Sequence, residues 1–243
     1  MEAIRQITGV QKLDGLAAGE IAQSPVVIGL IPPAEAPPQR SAPTYVNGPA
    51  KRALDIMGAL ALIAFLAPAL LLIAAAIKVT SRGPVFFRQE RGGAGQTKFM
   101  IWKFRTMCRE SAHETGFLRQ ACRQDARVTA VGGFLRRYSL DELPQLFNVV
   151  TGEMSLVGPR PHAVSHDAHF AVQVPNYTGR FSCRPGMTGL AQTSGARGET
   201  KTANDMQKRV DYDLLYINSA SLRGDLVILA RTSWMMFVNE DAY

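Results

Sequence analysis

The longest apolar stretch runs from Ile56 to Ile77, 22 residues without a charge. At roughly 1.5 Å per residue, a helix of that length reaches across a bilayer core of about 30 Å. Pro68 falls near its middle, where the missing N–H and the clash with the carbonyl four residues back predict a bend. Each half is then about one leaflet deep. Lys51 and Arg52 precede the run and Lys78, Arg82, Arg88 and Arg91 follow it. Both flanks read as cytoplasmic by the positive-inside rule, so a re-entrant hairpin broken at Pro68 satisfies both. The alternatives are a spanning helix kinked at Pro68 and a buried helix of a soluble core; an apolar surface on every side disfavours the second.

Downstream the period changes. PVFFRQE and KFMIWKFRTM alternate as short strands, and the RGGAGQT between them is a Gly-rich turn, which predicts a β-hairpin. The turn is not a P-loop, because its lysine follows the Thr and no strand-to-helix step is evident. Residues 110–132 read as helix and then loop. FLRRYSLDELPQLFNVV has helical spacing, with Leu140, Leu143, Phe147 and Val150 on one apolar face. TGEMSLVGPRPHAV reads as a turn, an apolar piece and a Pro-locked loop, and RFSCRPGMTGLAQTSGARGET as loop with short strands. The C-terminal part predicts two amphipathic helices broken near Asn218. The second carries Leu222, Leu226, Leu229, Trp234 and Phe237 with Arg223 and Arg231, a pattern suited to a membrane interface or to core packing.

Half of the 14 prolines precede residue 50, so residues 1–48 are expected to be a Pro-rich disordered tail. Its start lacks the basic and apolar regions of a secretory signal. The expected organisation is therefore a tail (1–48), a re-entrant membrane helix (49–80) and a cytosolic domain (81–243). The fold class is α+β, mainly helical: a membrane hairpin plus a domain with a short β-hairpin and interfacial amphipathic helices.

Charge narrows the partners. The chain has 27 Lys+Arg against 20 Asp+Glu, a net +7, which favours an anionic partner. Eight of those cations lie between Lys78 and Arg109 with one acid, Glu90, beside the apolar run, where headgroups would attract them. Nothing resembles a helix-turn-helix, so nucleic acid is not expected. A non-enzymatic membrane adaptor is the competing class. Three scattered cysteines argue against a disulfide framework.

The stretch YSLDELPQLFN places Asp141 and Glu142 ahead of a proline and an apolar run. Ser139 and Glu142 fit a capping box, yet Pro144 would then remove a helical hydrogen bond; with Asp141 as N-cap, Pro144 falls in the first turn, where none is lost. Either way a helix dipole would favour the ionised carboxylates that a nucleophile or a Mg²⁺ ligand needs. Local chemistry alone favours capping. Against that, Arg160 is stiffened between Pro159 and Pro161, Arg184 sits in RPG, and Lys103 and Arg105 lie upstream; such cations suit phosphate groups.

The ordered succession KRALDI, a proline-broken apolar run, GPVFFRQERGG, KFRTM, DARVTAVGGFLRRYSLDELPQLFNVVTGEMSLVGPRP and RPGMTGLAQ resembles the bacterial sugar transferases, the small monotopic phosphoglycosyl transferases. The likeness runs from about Lys51 to Phe237. It implies a catalytic domain on the cytoplasmic face of the bacterial inner membrane that transfers hexose 1-phosphate from a UDP-sugar to undecaprenyl phosphate, releasing UMP, as the first membrane step of exopolysaccharide synthesis. It also implies Asp141 as nucleophile through a covalent aspartyl phosphosugar, Glu142 beside it, Mg²⁺ held in part by Asp141, and downstream glycosyltransferases as partners. Arg160 and Arg184, then Lys103 and Arg105, are the candidate phosphate contacts. Where the family breaks its membrane helix at Ser-Pro, this chain has Ala67-Pro68. The membrane-embedded N-terminal region of larger relatives is not seen. ARGET and KRVDYDLLY look more like members using glucose, then galactose, than those using modified amino sugars.

Overall fold

The computed structural model describes residues 45–108, 125–196, 198, 200 and 202–238, with residues 236–238 as backbone only. The Pro-rich segment up to residue 44 and the helix expected from residue 110 fall on residues outside this set, as does the Phe237 side chain. The fold is mainly helical with two small sheets, as the α+β expectation has it. Helix α1 (Pro49–Thr80) is followed by the hairpin β1 (Phe86–Gly92) and β2 (Lys98–Phe104). Next come α2 (Ala130–Arg137), α3 (Gln145–Thr151), β3 (Ser155–Val157), α4 (Val164–Ala171), β4 (Gly186–Thr188), α5 (Leu190–Thr193), α6 (Ala203–Ser219) and α7 (Leu222–Val238).

The first sheet is the expected antiparallel hairpin, with Phe86 opposite Phe104 and Arg88 opposite Trp102. The second, parallel pairing of β3 with β4 joins the two Pro-containing loops and had no periodic signal, because each strand is three residues long. The break expected near Asn218 is the α6–α7 corner.

Helix α1 is a single element that continues through Pro68. Of its most apolar 18-residue stretch only 6% is buried, which removes the soluble-core alternative. Both ends are nevertheless tied to one body. At the start, Lys51, Asp55 and Ala59 are buried, and Gly58 lies so close to β3 that a Cβ there would come within 2.7 Å of Leu156 Cδ1. At the end, Ile77 packs with Phe104 and Leu135, flanked by Leu70, Ile73 and Ala74. Between them Phe65, Leu71 and Leu72 are 80%, 71% and 72% exposed. The folded body also begins before α1: Val46 is buried and the Tyr45 hydroxyl donates to Asp225 at 3.0 Å.

The helix expected across FLRRYSLDELPQLFNVV is two helices. Ser139 takes a left-handed conformation (φ 55°), and Pro144, which has no N–H to donate, stands at the start of α3. The apolar face shifts accordingly, since Leu146 and Val149 are buried while Phe147 is 40% exposed. Asn148 then joins α3 to the hairpin: its side chain donates to Met100 O and accepts from Trp102 N, both at 2.9 Å.

Candidate active site

Asp141 and Glu142 occupy a 3-10 turn of their own, Leu140–Glu142, between α2 and α3. Ser139 makes no side-chain cap to it, and the position before α3 is held by Pro144. Neither the capping box nor the Asp141 N-cap expected from the sequence is formed. The left-handed turn at Ser139 and the proline together hold the acids ahead of α3 rather than inside its first turn.

The two carboxylates meet opposite surroundings. Glu142 accepts from Lys103 Nζ at 2.7 Å and from the Arg160 guanidinium fork at 2.5 and 3.0 Å. Burial alone would raise its pKa, but Arg160 and Lys103 outweigh burial and hold the carboxyl well below the usual carboxylate range. Asp141 has no hydrogen bond or ion pair among the described residues. Burial first, then the Glu142 charge, push it up to about 6 against the lowering fields of Lys103, Arg136 and Arg160. The expectation of a readily ionised pair therefore holds for Glu142 and fails for Asp141.

Arg160 is placed by its backbone. Gly186 N donates to Pro159 O at 2.8 Å, and Arg180 Nη2 donates to Arg160 O at 2.6 Å. Arg180 is itself anchored on Asp213 at 2.8 Å and lies against His162. Burial, then Arg180 and Arg209, hold the His162 pKa well below its usual range, so the ring is neutral. What emerges is a turn carrying one uncommitted carboxylate beside an acid locked between two cations. That arrangement can offer oxygen lone pairs to an electrophile, with two cations bonded to the neighbouring acid.

Residues 46–239 match the model of the bacterial sugar transferases. The chain belongs to the bacterial sugar transferase family. The sugar transferase is 50% identical over 194 residues to the UDP-glucose:undecaprenyl-phosphate glucose-1-phosphate transferase of Caulobacter vibrioides, covering 79% of this chain and 72% of that protein. It is 48% identical over 198 residues to the Klebsiella pneumoniae protein of the same name, covering 82% of this chain and 42% of that one. With the UDP-galactose-lipid carrier transferase of Erwinia amylovora it shares 38% over 208 residues, 79% of this chain and 41% of that protein. The chain thus spans less than half the length of several relatives it matches.

Of the candidate residues, the sugar transferase brings Asp141, Glu142, Lys103 and Arg160 together and leaves two elsewhere. Arg105 is buried and donates to Arg82 O, Ser81 O and Ser81 Oγ at 2.8 to 2.9 Å, closing the carbonyl end of α1. Arg184 Nε donates to Gly152 O at 3.1 Å, at the far end of α3 from Glu142, about 10 Å along a helix of that length. Arg105 thus has both of its terminal nitrogens engaged at the end of α1, whereas Arg184 is bonded through Nε alone. The sequence reading missed Arg136, whose field reaches Asp141, and Arg180, which sets the Arg160 loop. Arg136 had a signal in its place five residues before Asp141; Arg180 had none.

No cluster of three or more acidic, His or Cys side chains that could hold a metal exists among the described residues. Both Glu142 oxygens are committed to cations, so of the two acids in this turn only Asp141 has oxygens open to a cation among the described residues. One carboxylate, with water and substrate phosphates completing the shell, is a common set for Mg²⁺.

Proposed function

We propose that the chain transfers hexose 1-phosphate from a UDP-sugar to undecaprenyl phosphate and releases UMP. The observation that carries this reading is Asp141, a carboxylate with no hydrogen bond or ion pair among the described residues, beside the Lys103–Glu142–Arg160 cluster. An Asp141 oxygen attacks the phosphorus that bears the sugar, and the bond from that phosphorus to the UMP oxygen breaks. The acceptor's phosphate oxygen then attacks the same phosphorus, the acyl phosphate bond to Asp141 breaks, and the carboxylate is restored. Arg160 and Lys103, held close by Glu142, orient the diphosphate and neutralise charge on its oxygens. Mg²⁺, when bound at Asp141, would add further neutralisation of the diphosphate.

Glucose is the proposed sugar, with galactose next. The names of the Caulobacter and Klebsiella relatives support glucose, and that of the Erwinia relative supports galactose. The product fits the opening of exopolysaccharide assembly, in line with a 42% identical exopolysaccharide production protein of Rhizobium leguminosarum. Downstream glycosyltransferases would then act on it.

The membrane reading is a re-entrant α1 with the catalytic body on the cytoplasmic face of the inner membrane. It rests on the exposed apolar middle of α1 and on both of its ends being bonded to one body. The exposed Leu222, Leu226 and Trp234 of α7 suit an interfacial position. Cysteines placed at both ends of α1 should label from the same side, and labelling from opposite sides would refute the hairpin. For the reaction, purified protein mixed with UDP-glucose alone should release a burst of UMP near one equivalent. Addition of undecaprenyl phosphate should then give turnover and labelled lipid. No burst and no labelled lipid with any UDP-hexose would sink the reading.

A further inference from the structure

Alternation sorts the β1–β2 hairpin into two faces. One carries Phe99 and Ile101, buried with Leu146 and Val149, and Lys103, bonded to Glu142. The core and the candidate site use that face. The other carries Phe86, Arg88 and Glu90 of β1 opposite Phe104, Trp102 and Met100 of β2. Of these only Phe104 is buried, and Phe86 and Met100 are 36% and 37% exposed.

This open face is an ordered stack. Phe104 packs with Ile77 at the end of α1. The Phe86 ring lies nearly parallel to Phe104 at 5.4 Å, and Trp102 meets Phe86 edge-on at 5.5 Å. The Arg88 guanidinium carbon stands 4.4 Å from the centre of the Trp102 ring. Arg88 has no hydrogen bond or ion pair among the described residues, so its five N–H donors are held over a ring without an acceptor. Lys78, in the last turn of α1, and Arg82 just beyond it are exposed as well.

Measured contacts thus lead from the apolar helix through three rings to an uncommitted guanidinium. Apolar carbon, then aromatic rings, then cations is the order that suits a bilayer's acyl region, its interface and its phosphates. We propose that this face of the hairpin lies on the membrane surface, with Phe86, Trp102 and Met100 at the boundary of acyl chains and headgroups and Arg88 on the phosphate of an anionic phospholipid. The proposal rests on the membrane reading of α1 above and adds a surface that neither α1 nor α7 supplies. Two observations favour lipid over a protein partner. The face is continuous, through Phe104 and Ile77, with the exposed apolar middle of α1. The charge left over on it has one sign, because Glu90 is matched by Lys98 at 3.3 Å and Arg88 is not matched.

The chain has two tryptophans, Trp102 and Trp234, so Trp234→Phe leaves Trp102 as the one reporter. The full chain with that change is reconstituted in vesicles of phosphatidylglycerol and phosphatidylcholine in equal parts, with bromine on the acyl chains of one lipid or the other. Trp102 fluorescence should be quenched by both, and more strongly by brominated phosphatidylglycerol. Arg88→Gln should abolish that excess, which corresponds to a roughly fivefold preference for the anionic lipid, whereas Arg88→Lys keeps the charge and should retain it. Trp102 fluorescence untouched by either lipid overturns the proposal, and equal quenching by the two overturns the place given to Arg88. A Phe65→Trp reporter, in a chain with Trp102→Phe and Trp234→Phe, tests the membrane reading separately. If it is quenched and Trp102 is not, only the hairpin proposal fails; if neither is quenched, the membrane reading of α1 fails with it.

Discussion

Two charged clusters in this molecule use nearly the same parts to opposite ends. At the start of α1, Lys51 Nζ reaches Asp55 Oδ1 at 2.8 Å, Asp225 Oδ2 at 3.0 Å and Ser155 Oγ at 2.6 Å, and all of these side chains are buried. Asp225 accepts two further hydrogen bonds, from Tyr45 and Tyr216. One cation is shared by two acids, and almost every lone pair has a partner; Asp55 Oδ2 is the exception. At the 3-10 turn the ratio is inverted, with Glu142 shared by Lys103 and Arg160, and these side chains keep 18 to 33% of their surface. The satisfied, closed cluster fastens α1 to β3 and α7. The open one leaves Asp141 without a partner among the described residues and its cations within reach of solvent. Charge content does not separate the two clusters; the presence of a carboxylate without a hydrogen bond or ion pair among the described residues does.

The sharpest way to break that comparison is Asp141→Asn. It should lower sugar-phosphate transfer by at least about a thousandfold, measured as UMP release with undecaprenyl phosphate present. Thermal unfolding of the same variant should show a gain. Folding raises the Asp141 pKa to about 6, above the ordinary aspartate value, so the native state disfavours the ionised form. That cost is absent below the unfolded pKa, grows between the two values and is complete above about 6. Asn therefore should raise the melting temperature at pH 8 and leave it unchanged at pH 4.

Lys51→Met should do the reverse. It leaves Asp55 and Asp225 buried without their cation, so unfolding in detergent by denaturant should show a loss of about 3–5 kcal/mol. An unfolding curve like that of wild type would mean the cluster does not fasten α1. A smaller effect separates the clusters by pH. In the proposed mechanism transfer needs ionised Asp141, so kcat/KM should fall roughly tenfold from pH 8 to pH 5, with the midpoint near 6. A flat profile would show that the uncommitted carboxylate is not the reacting group. The smallest change belongs to the exposed Glu90–Lys98 pair on the hairpin, 3.3 Å apart with both side chains more than half exposed. Glu90→Gln should shift stability by less than about 0.5 kcal/mol and leave the transfer rate as it was.

How much of this was legible in the sequence follows from the range of the forces involved. The limits of α1 and the β-hairpin were readable, because an uncharged run and strict alternation are local patterns. The carboxylate pair was readable as a candidate for the same reason. The break at Ser139 was not, since serine carries no strong preference for a positive φ and takes it here under the demands of α2 and Pro144. The places of Arg105 and Arg184 were not readable, because cation-rich loops look alike in one dimension, whereas which arginine meets a carbonyl and which a carboxylate is decided by partners 23 to 32 positions away. The parallel β3–β4 pairing and the Arg180 anchor are long-range in the same sense.

One side chain has a consequence outside catalysis. The β1–β2 hairpin has a strand edge that would expose unpaired amides and carbonyls, a template on which another chain can add a strand and begin to aggregate. Asn148 occupies that edge, giving an amide hydrogen to Met100 O and a carbonyl oxygen to Trp102 N, as a neighbouring strand would. A single carboxamide thus makes, on the outer edge of β2, the two hydrogen bonds that a further strand would make there.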